Sequence, residues 1–227
     1  MNKRLSLFCA SAMMLVLTGP SFAQQSEAVH VIDYSSPYQA ESSIAALMQD
    51  DSMKDARVTL YAQTFGEYGA SHLVVEDFDS YEQYMSTTED RMASHAWSRY
   101  LLQTMDADYR GSNLVTVVDD HGAPRHTAGY LAAFLIHTTD PATYRSAMAD
   151  MNKAIGNPGV LRLVAVRAGK RNHTHAVLVG GADFKAVNEY LDKLNASDAF
   201  ADFVEKVGDT RKVVAVNMYR RVATWGN

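Results

Sequence analysis

The chain has 227 residues, 47% of them hydrophobic and 21% charged, with a formal net charge of −5. That length builds one large or two small domains. The 21 basic residues are scattered, so nucleic acid is not an expected partner, and the single cysteine rules out a disulfide framework.

The chain opens with a basic start (Lys3, Arg4), an apolar run from Leu5 to Leu17, and Ser21-Phe22-Ala23 before Gln24. This pattern predicts a secretory signal peptide over residues 1–23, with the exported protein starting at Gln24. The run is too short to span a bilayer and no second hydrophobic stretch follows, so no membrane span is expected. The brevity of the signal points to a bacterial periplasm. Cys9 leaves with the signal, which excludes thiol nucleophiles, iron–sulfur clusters and thiolate metal sites from the exported chain.

Residues 27–122 read as a first repeat. Ala28 to Tyr34 is a strand, and Ser36-Pro37 is a cap followed by proline at the first helical position. Ile44, Leu47 and Met48 supply the helix stripe. "ARVTLYAQ" and "SHLVVEDF" are the next strands. Tyr81, Tyr84 and Met85, then Met92, Trp97, Tyr100 and Leu101, mark a second helical region, and "NLVTVVDD" is strand four. The aromatic and methionine stripes fit helix-on-sheet packing.

Residues 126–224 repeat that order beyond the connection "DDHGAPRH". The strand "AGYLAAFLIHTT" leads to Asp140-Pro141 and a helix with Tyr144, Met148, Met151 and Ile155 on one face. "VLRLVAVRAG" and "THAVLVGGA" are strands, a helical region runs from about Phe184 to Val207, and "KVVAVNMYRRV" closes the half. "SHAWSRYL" and "SDAFADFV" share Ser-x-Ala-aromatic-x-x-aromatic at the same offset that separates His72 from His175. Both halves are therefore read as βαββαβ, a tandem duplication. A four-stranded sheet with helices on one face leaves the other bare, so two such sheets bury each other.

On the Ser-His and Thr-His starts of strand three, on Phe-x₅-Tyr (Phe78 with Tyr84, Phe184 with Tyr190) and on the Ser-x-Ala-aromatic motif, the chain resembles the dimeric α+β barrel superfamily of ferredoxin-like domains. That group includes antibiotic-biosynthesis monooxygenases, stress-responsive barrel proteins, small polyketide cyclases and chlorite dismutases. The resemblance implies an α+β, single-chain pseudo-dimeric barrel with antiparallel sheets. It fixes a fold rather than an activity.

In the cyclase branch a histidine matching His72 and His175, with a tyrosine matching Tyr84 and Tyr190, would line the pocket and move a proton on an enolisable substrate. The further histidine of that branch falls on Trp97 and Phe200, which accept no proton. The alternative is that His72 and His175 cap a strand edge. The chlorite dismutase branch implies haem, which would engage His175 or His137 with Arg162 or Arg167. His173 and His175 form His-x-His, but no third ligand is evident, so no metal site is expected.

The expected partner is a small apolar or aromatic molecule, bound with or without catalysis and without a resident cofactor. A cofactor-independent monooxygenase or cyclase is the alternative function. Adjacent Gly180 and Gly181 in a strand favour a bulge or a close approach to the backbone. The working pocket is therefore expected in the second repeat, bordered by His175, Gly180, Gly181, Tyr190 and His137.

Overall fold

The structure is a computed structural model describing residues 25–66, 70–156, 159–169 and 172–226. The expected signal peptide and Gln24 lie outside the described residues. The first half runs β1 (Ser26–Asp33), α1 (Pro37–Leu47), β2 (Arg57–Phe65), β3 (His72–Phe78), α2 (Tyr81–Ala93), α3 (His95–Gln103) and β4 (Asp108–Gly122). The second runs β5 (Tyr130–Thr138), α4 (Pro141–Ile155), β6 (Val160–Ala168), β7 (His175–Gly181), α5 (Phe184–Asn195), α6 (Asp198–Val207) and β8 (Arg211–Trp225).

The helix starts follow local chemistry. Ser36 and Asp140 accept hydrogen bonds from the backbone N–H groups of Gln39 and Thr143, each just ahead of a proline. Each second helical region is two helices, because Ser94 and Ser197 interrupt the run and cap α3 and α6 by accepting from Trp97 and Phe200.

All eight strands form one closed barrel in the order β1-β3-β2-β8-β5-β7-β6-β4, and every pairing is antiparallel. The closure depends on length. β4 and β8 are 15 residues each, well beyond the stretches whose alternation marks them in the sequence. The extra length carries β4 from β1 across to β6, and β8 from β5 across to β2. The two sheets thus meet along their edges as well as through their bare faces, which removes exposed sheet edges. At each seam an asparagine of the long strand fills the space beside a glycine. A Cβ on Gly169 would lie 2.4 Å from Asn113 Oδ1, and one on Gly66 would overlap Asn217 Oδ1. Both glycines have positive φ, +117° and +127°.

The alternation of β5 leaves two faces to choose between, and the structure decides. Leu131, Ala133 and Leu135 point into the barrel, whereas Tyr130, Ala132 and Ile136 pack under α4, α5 and α6. The interior is nearly full, with an apolar cavity of about 80 Å³ lined by residues such as Val75, Leu131, Ala176 and His173. That is room for a few waters. A buried ionic network closes the barrel. Arg125, in the link between halves, donates to Glu27 at 3.0 Å, to Asp77 at 2.7 and 2.8 Å, and to the Tyr61 hydroxyl at 2.8 Å. Arg162 also pairs with Glu27, and with Asp120 at 2.5 Å. Burial alone would raise the Glu27 carboxyl, but the two guanidiniums outweigh it and hold the group below the ordinary carboxylate range.

Candidate functional site

Two larger spaces lie outside the barrel, each between a helical layer and the outer face of its sheet. The first-half cleft is about 480 Å³ and the second-half cleft about 400 Å³. Both have apolar walls. The first is built from residues such as Ile32, Ile44, Leu47, Met53, Val74 and Trp97. The second is built from Phe134, Met148, Leu161, Val179, Leu194 and Phe200 among others.

The clefts differ in their polar groups. In the first, Arg91 on α2 donates to both oxygens of Glu76 on β3, at 2.7 and 2.6 Å. His30 on β1 places Nε2 3.2 Å from Glu76 Oε1, an electrostatic contact rather than an aligned hydrogen bond. Its Nδ1 bonds Ser112 Oγ on β4, and that hydroxyl bonds the Tyr109 phenol. Arg91 also lies over the Trp97 ring, 4.8 Å from its centroid, and its buried Nε has no hydrogen-bond partner. Tyr34 and Tyr100 share a hydroxyl hydrogen bond of 2.8 Å at the same cleft.

Burial would push the Glu76 carboxyl up. The contacts with His30 and Arg91 prevail and hold it at about 2, so it is a carboxylate at any physiological pH. Burial raises the Tyr34 and Tyr100 phenols, each in contact with the other, which keeps both protonated as hydrogen-bond donors.

The strand pairings and helix caps put the halves in register: Asn113 with Asn217, His72 with His175, Ser80 with Asp183. His30, Glu76, Arg91, Tyr109 and Ser112 then fall on Phe134, Val179, Leu194, Val213 and Val216. All five of those second-half residues line the second cleft. One scaffold therefore carries a charged cluster in one half and hydrocarbon in the other. The sequence reading missed this cluster. Glu76 reads as an alternating strand residue and Arg91 as a helix surface charge, but both are buried, at 5% exposure each.

The residues named from sequence are dispersed. His72 and His175 begin β3 and β7, buried, and each Nδ1 bonds the neighbouring hydroxyl, Ser71 at 2.6 Å and Thr174 at 2.9 Å. Burial lowers both imidazoles. Neither lines a cleft. Tyr190 does line the second cleft, and its buried hydroxyl has no hydrogen-bond partner. Tyr84 instead packs edge-on against Phe78, centroids 5.0 Å apart. The two Phe-x₅-Tyr stretches are not equivalent, because Phe78 ends a strand while Phe184 begins a helix. By the caps, Tyr190 matches Thr87 and Tyr84 matches Val187.

His137, one residue before the end of β5, is exposed to solvent, at the opposite end of the β5–β7 pair from Gly180 and Gly181. β7 has no bulge at those glycines, which pair in regular register with Leu131 and Tyr130. What approaches them is the protein itself. A Cβ on Gly180 would sit 2.7 Å from Leu131 Cδ2 inside the barrel, and one on Gly181 would sit 3.1 Å from Ala186 Cβ on α5. His173 faces the barrel cavity. Among the described residues no group of three or more His, Cys, Asp or Glu side chains is placed to hold a metal ion. Trp97 and Phe200, at the matching second-helix position, line the first and second clefts.

The haem arrangement does not fit these residues. His175, His137, Arg162 and Arg167 line neither cleft, and Arg162 is committed to Glu27 and Asp120 at the barrel end.

No protein-family model matches the sequence, and no curated protein matches it significantly. Solved structures do match in fold. A candidate monooxygenase from Fusobacterium nucleatum superposes with a TM-score of 0.59 at 11% identity, covering 90% of this chain and 94% of its own. An anthrone oxidase-like protein gives 0.58 at 12% identity over 89% of this chain and 93% of its own. A haem-binding protein from Thermus thermophilus gives 0.50 at 9% identity over 88% and 92%. At such identities the likeness is one of fold, and the chain has the pseudo-dimeric α+β barrel fold.

Proposed function

We propose that this exported barrel binds a small aromatic molecule bearing an oxygen acceptor, and that the ligand sits in the first-half cleft. The observation that carries the reading is Arg91. Its guanidinium is buried at the foot of an apolar space of about 480 Å³, with Nε unpartnered, at a position the other half fills with leucine. A buried donor without a partner costs about 1–3 kcal/mol, and a ligand oxygen would recover that. Trp97 and Tyr100, stacked with centroids 5.1 Å apart, offer an aromatic wall. The second cleft, with the Tyr190 hydroxyl, is the other location for a ligand, and it suits a more apolar one.

The fold shared with an anthrone oxidase-like protein is in keeping with a small flat aromatic as the ligand class. A catalytic role as a monooxygenase or cyclase would draw on His30 rather than His72 or His175, since His30 lines the cleft. Export to the periplasm belongs to the same proposal, on the strength of the leader pattern alone.

The test is a titration with anthrone followed by tryptophan emission, with haemin followed by its Soret band as a second arm. The variant His30→Phe/Glu76→Val/Arg91→Leu copies the second half. It is expected to keep its circular dichroism and to lose anthrone affinity by about tenfold or more. Unchanged affinity in a folded variant would move the site elsewhere, and a stoichiometric haemin complex would replace the ligand class.

A further inference from the structure

We infer that Ser112, His30 and Glu76 form an acyl-transfer triad at the edge of the first cleft, giving the protein esterase activity on small apolar or aryl esters. Three strands supply it, β4, β1 and β3. His30 and Ser112 are directly paired across β1 and β4, so their side chains leave the same face side by side. His30 Nδ1 bonds Ser112 Oγ, and Nε2 lies 3.2 Å from the Glu76 carboxylate. A nucleophile on one ring nitrogen and a buried anion at the other is the arrangement a serine nucleophile needs.

Two further observations separate this from an ordinary strand contact. The first is the backbone. β1 and β4 slip register between Val31 and Ile32, a bulge, and Gly111 there has φ +128°, immediately before Ser112. The second half slips at the matching place, between Leu135 and Ile136, but carries Ala215 and Val216. Bulges re-aim side chains, and only the first half uses the bulge to present a hydroxyl. The second is the internal comparison, in which every member of the cluster has an apolar counterpart in the other half. A solvated polar face would not need a buried carboxylate and guanidinium beneath it.

The chemistry balances without a cofactor. With Tyr109 as the donor to Ser112 Oγ, the serine hydrogen is left for Nδ1. Ser112 Oγ attacks the ester carbonyl carbon as its proton passes to His30, and Glu76 stabilises the imidazolium. The carbon–oxygen bond to the leaving alcohol breaks as His30 returns the proton to it. Water, deprotonated by His30, then attacks the acyl-serine, releasing the carboxylic acid and restoring the Ser112 hydroxyl. Arg91 Nε, which lines the first cleft together with His30 and Tyr109, is a buried donor with no hydrogen-bond partner there.

The inference rests on the first cleft as the ligand site, and its experiment keeps the two apart. The full exported chain is incubated with a fluorophosphonate probe, the adduct is mapped by peptide mass spectrometry, and p-nitrophenyl butyrate hydrolysis is measured. Adduct on Ser112, with hydrolysis reduced at least about tenfold in both Ser112→Ala and His30→Phe, is the expected result. A smaller loss in Ser112→Ala, or an unmodified Ser112 after incubation, overturns it. Anthrone binding is titrated in the parent and in Ser112→Ala alongside the hydrolysis assay. If both proteins bind anthrone while neither hydrolyses ester, the triad fails and the binding site stands.

Discussion

Arg91 donates both of its contacts with Glu76 from a single nitrogen, Nη1, at 2.7 and 2.6 Å, and the pair occupies the positions of Leu194 and Val179 in the other half. A buried ion pair is thus set against its hydrocarbon replacement within one molecule.

That contrast makes a double-mutant cycle informative. Arg91→Leu or Glu76→Val alone strands a buried charge and is expected to cost about 3–5 kcal/mol in urea unfolding. The double variant is expected to recover most of that loss, because it reproduces the packing of the second half. Additive losses would mean that the pair contributes little to its own cost.

The pH dependence follows from Glu76. Its folded value is depressed to about 2 from an ordinary 4.5, so its stabilising effect is complete above about 4.5 and lost as pH falls towards 2. The stability gap between the parent and Glu76→Gln should therefore narrow across that window, by about 3 kcal/mol in total. Chemical denaturation at a series of acid pH values measures it; a gap constant with pH contradicts the assignment.

Gly180 is the tighter of the two adjacent glycines. Gly180→Ala would place a methyl 2.7 Å from Leu131 Cδ2 and 2.9 Å from Ala128 Cβ, so it should lower stability by about 1–3 kcal/mol. Gly181→Ala meets Ala186 at 3.1 Å and should cost less. Neither should change anthrone binding, which is read by fluorescence titration alongside thermal melting.

Arg125→Met removes the cation that Glu27, Asp77 and Tyr61 share at the barrel end. Two buried carboxylates are left, with Arg162 to serve only one of them. A loss of about 3–5 kcal/mol is expected. Asp77 should suffer most, and a variant adding Asp77→Asn should regain part of the loss in the same melts.

Tyr190→Phe tests the second cleft. Its hydroxyl is buried and unpartnered, so removing it should leave stability unchanged or raise it by up to about 1 kcal/mol. A large destabilisation would show that the hydroxyl has a partner in solution, a bound ligand being the first candidate for native mass spectrometry.

Element order, helix caps and strand alternation were all legible in the amino-acid sequence. These depend on near neighbours: a serine three residues ahead of an N–H, a proline at the first turn, a period of two. The sequence could not say which face of β5 looks inward, because both faces are apolar and only the partner layer distinguishes them. It could not show that β4 and β8 run on to close the barrel, since His121, Gly122, Ala223, Thr224 and Trp225 look like loop until a second sheet pairs with them. None of the locally conspicuous residues His72, His175, Gly180 and Gly181 lines the first cleft. His72, His175 and the two glycines stand out locally, yet each is satisfied or packed by its own surroundings. His30, Glu76, Arg91 and Ser112 come from four different elements, β1, β3, α2 and β4. What brings them together is the pairing of β1 with β3 and β4 and the seating of α2 above, contacts between distant segments that no local pattern encodes.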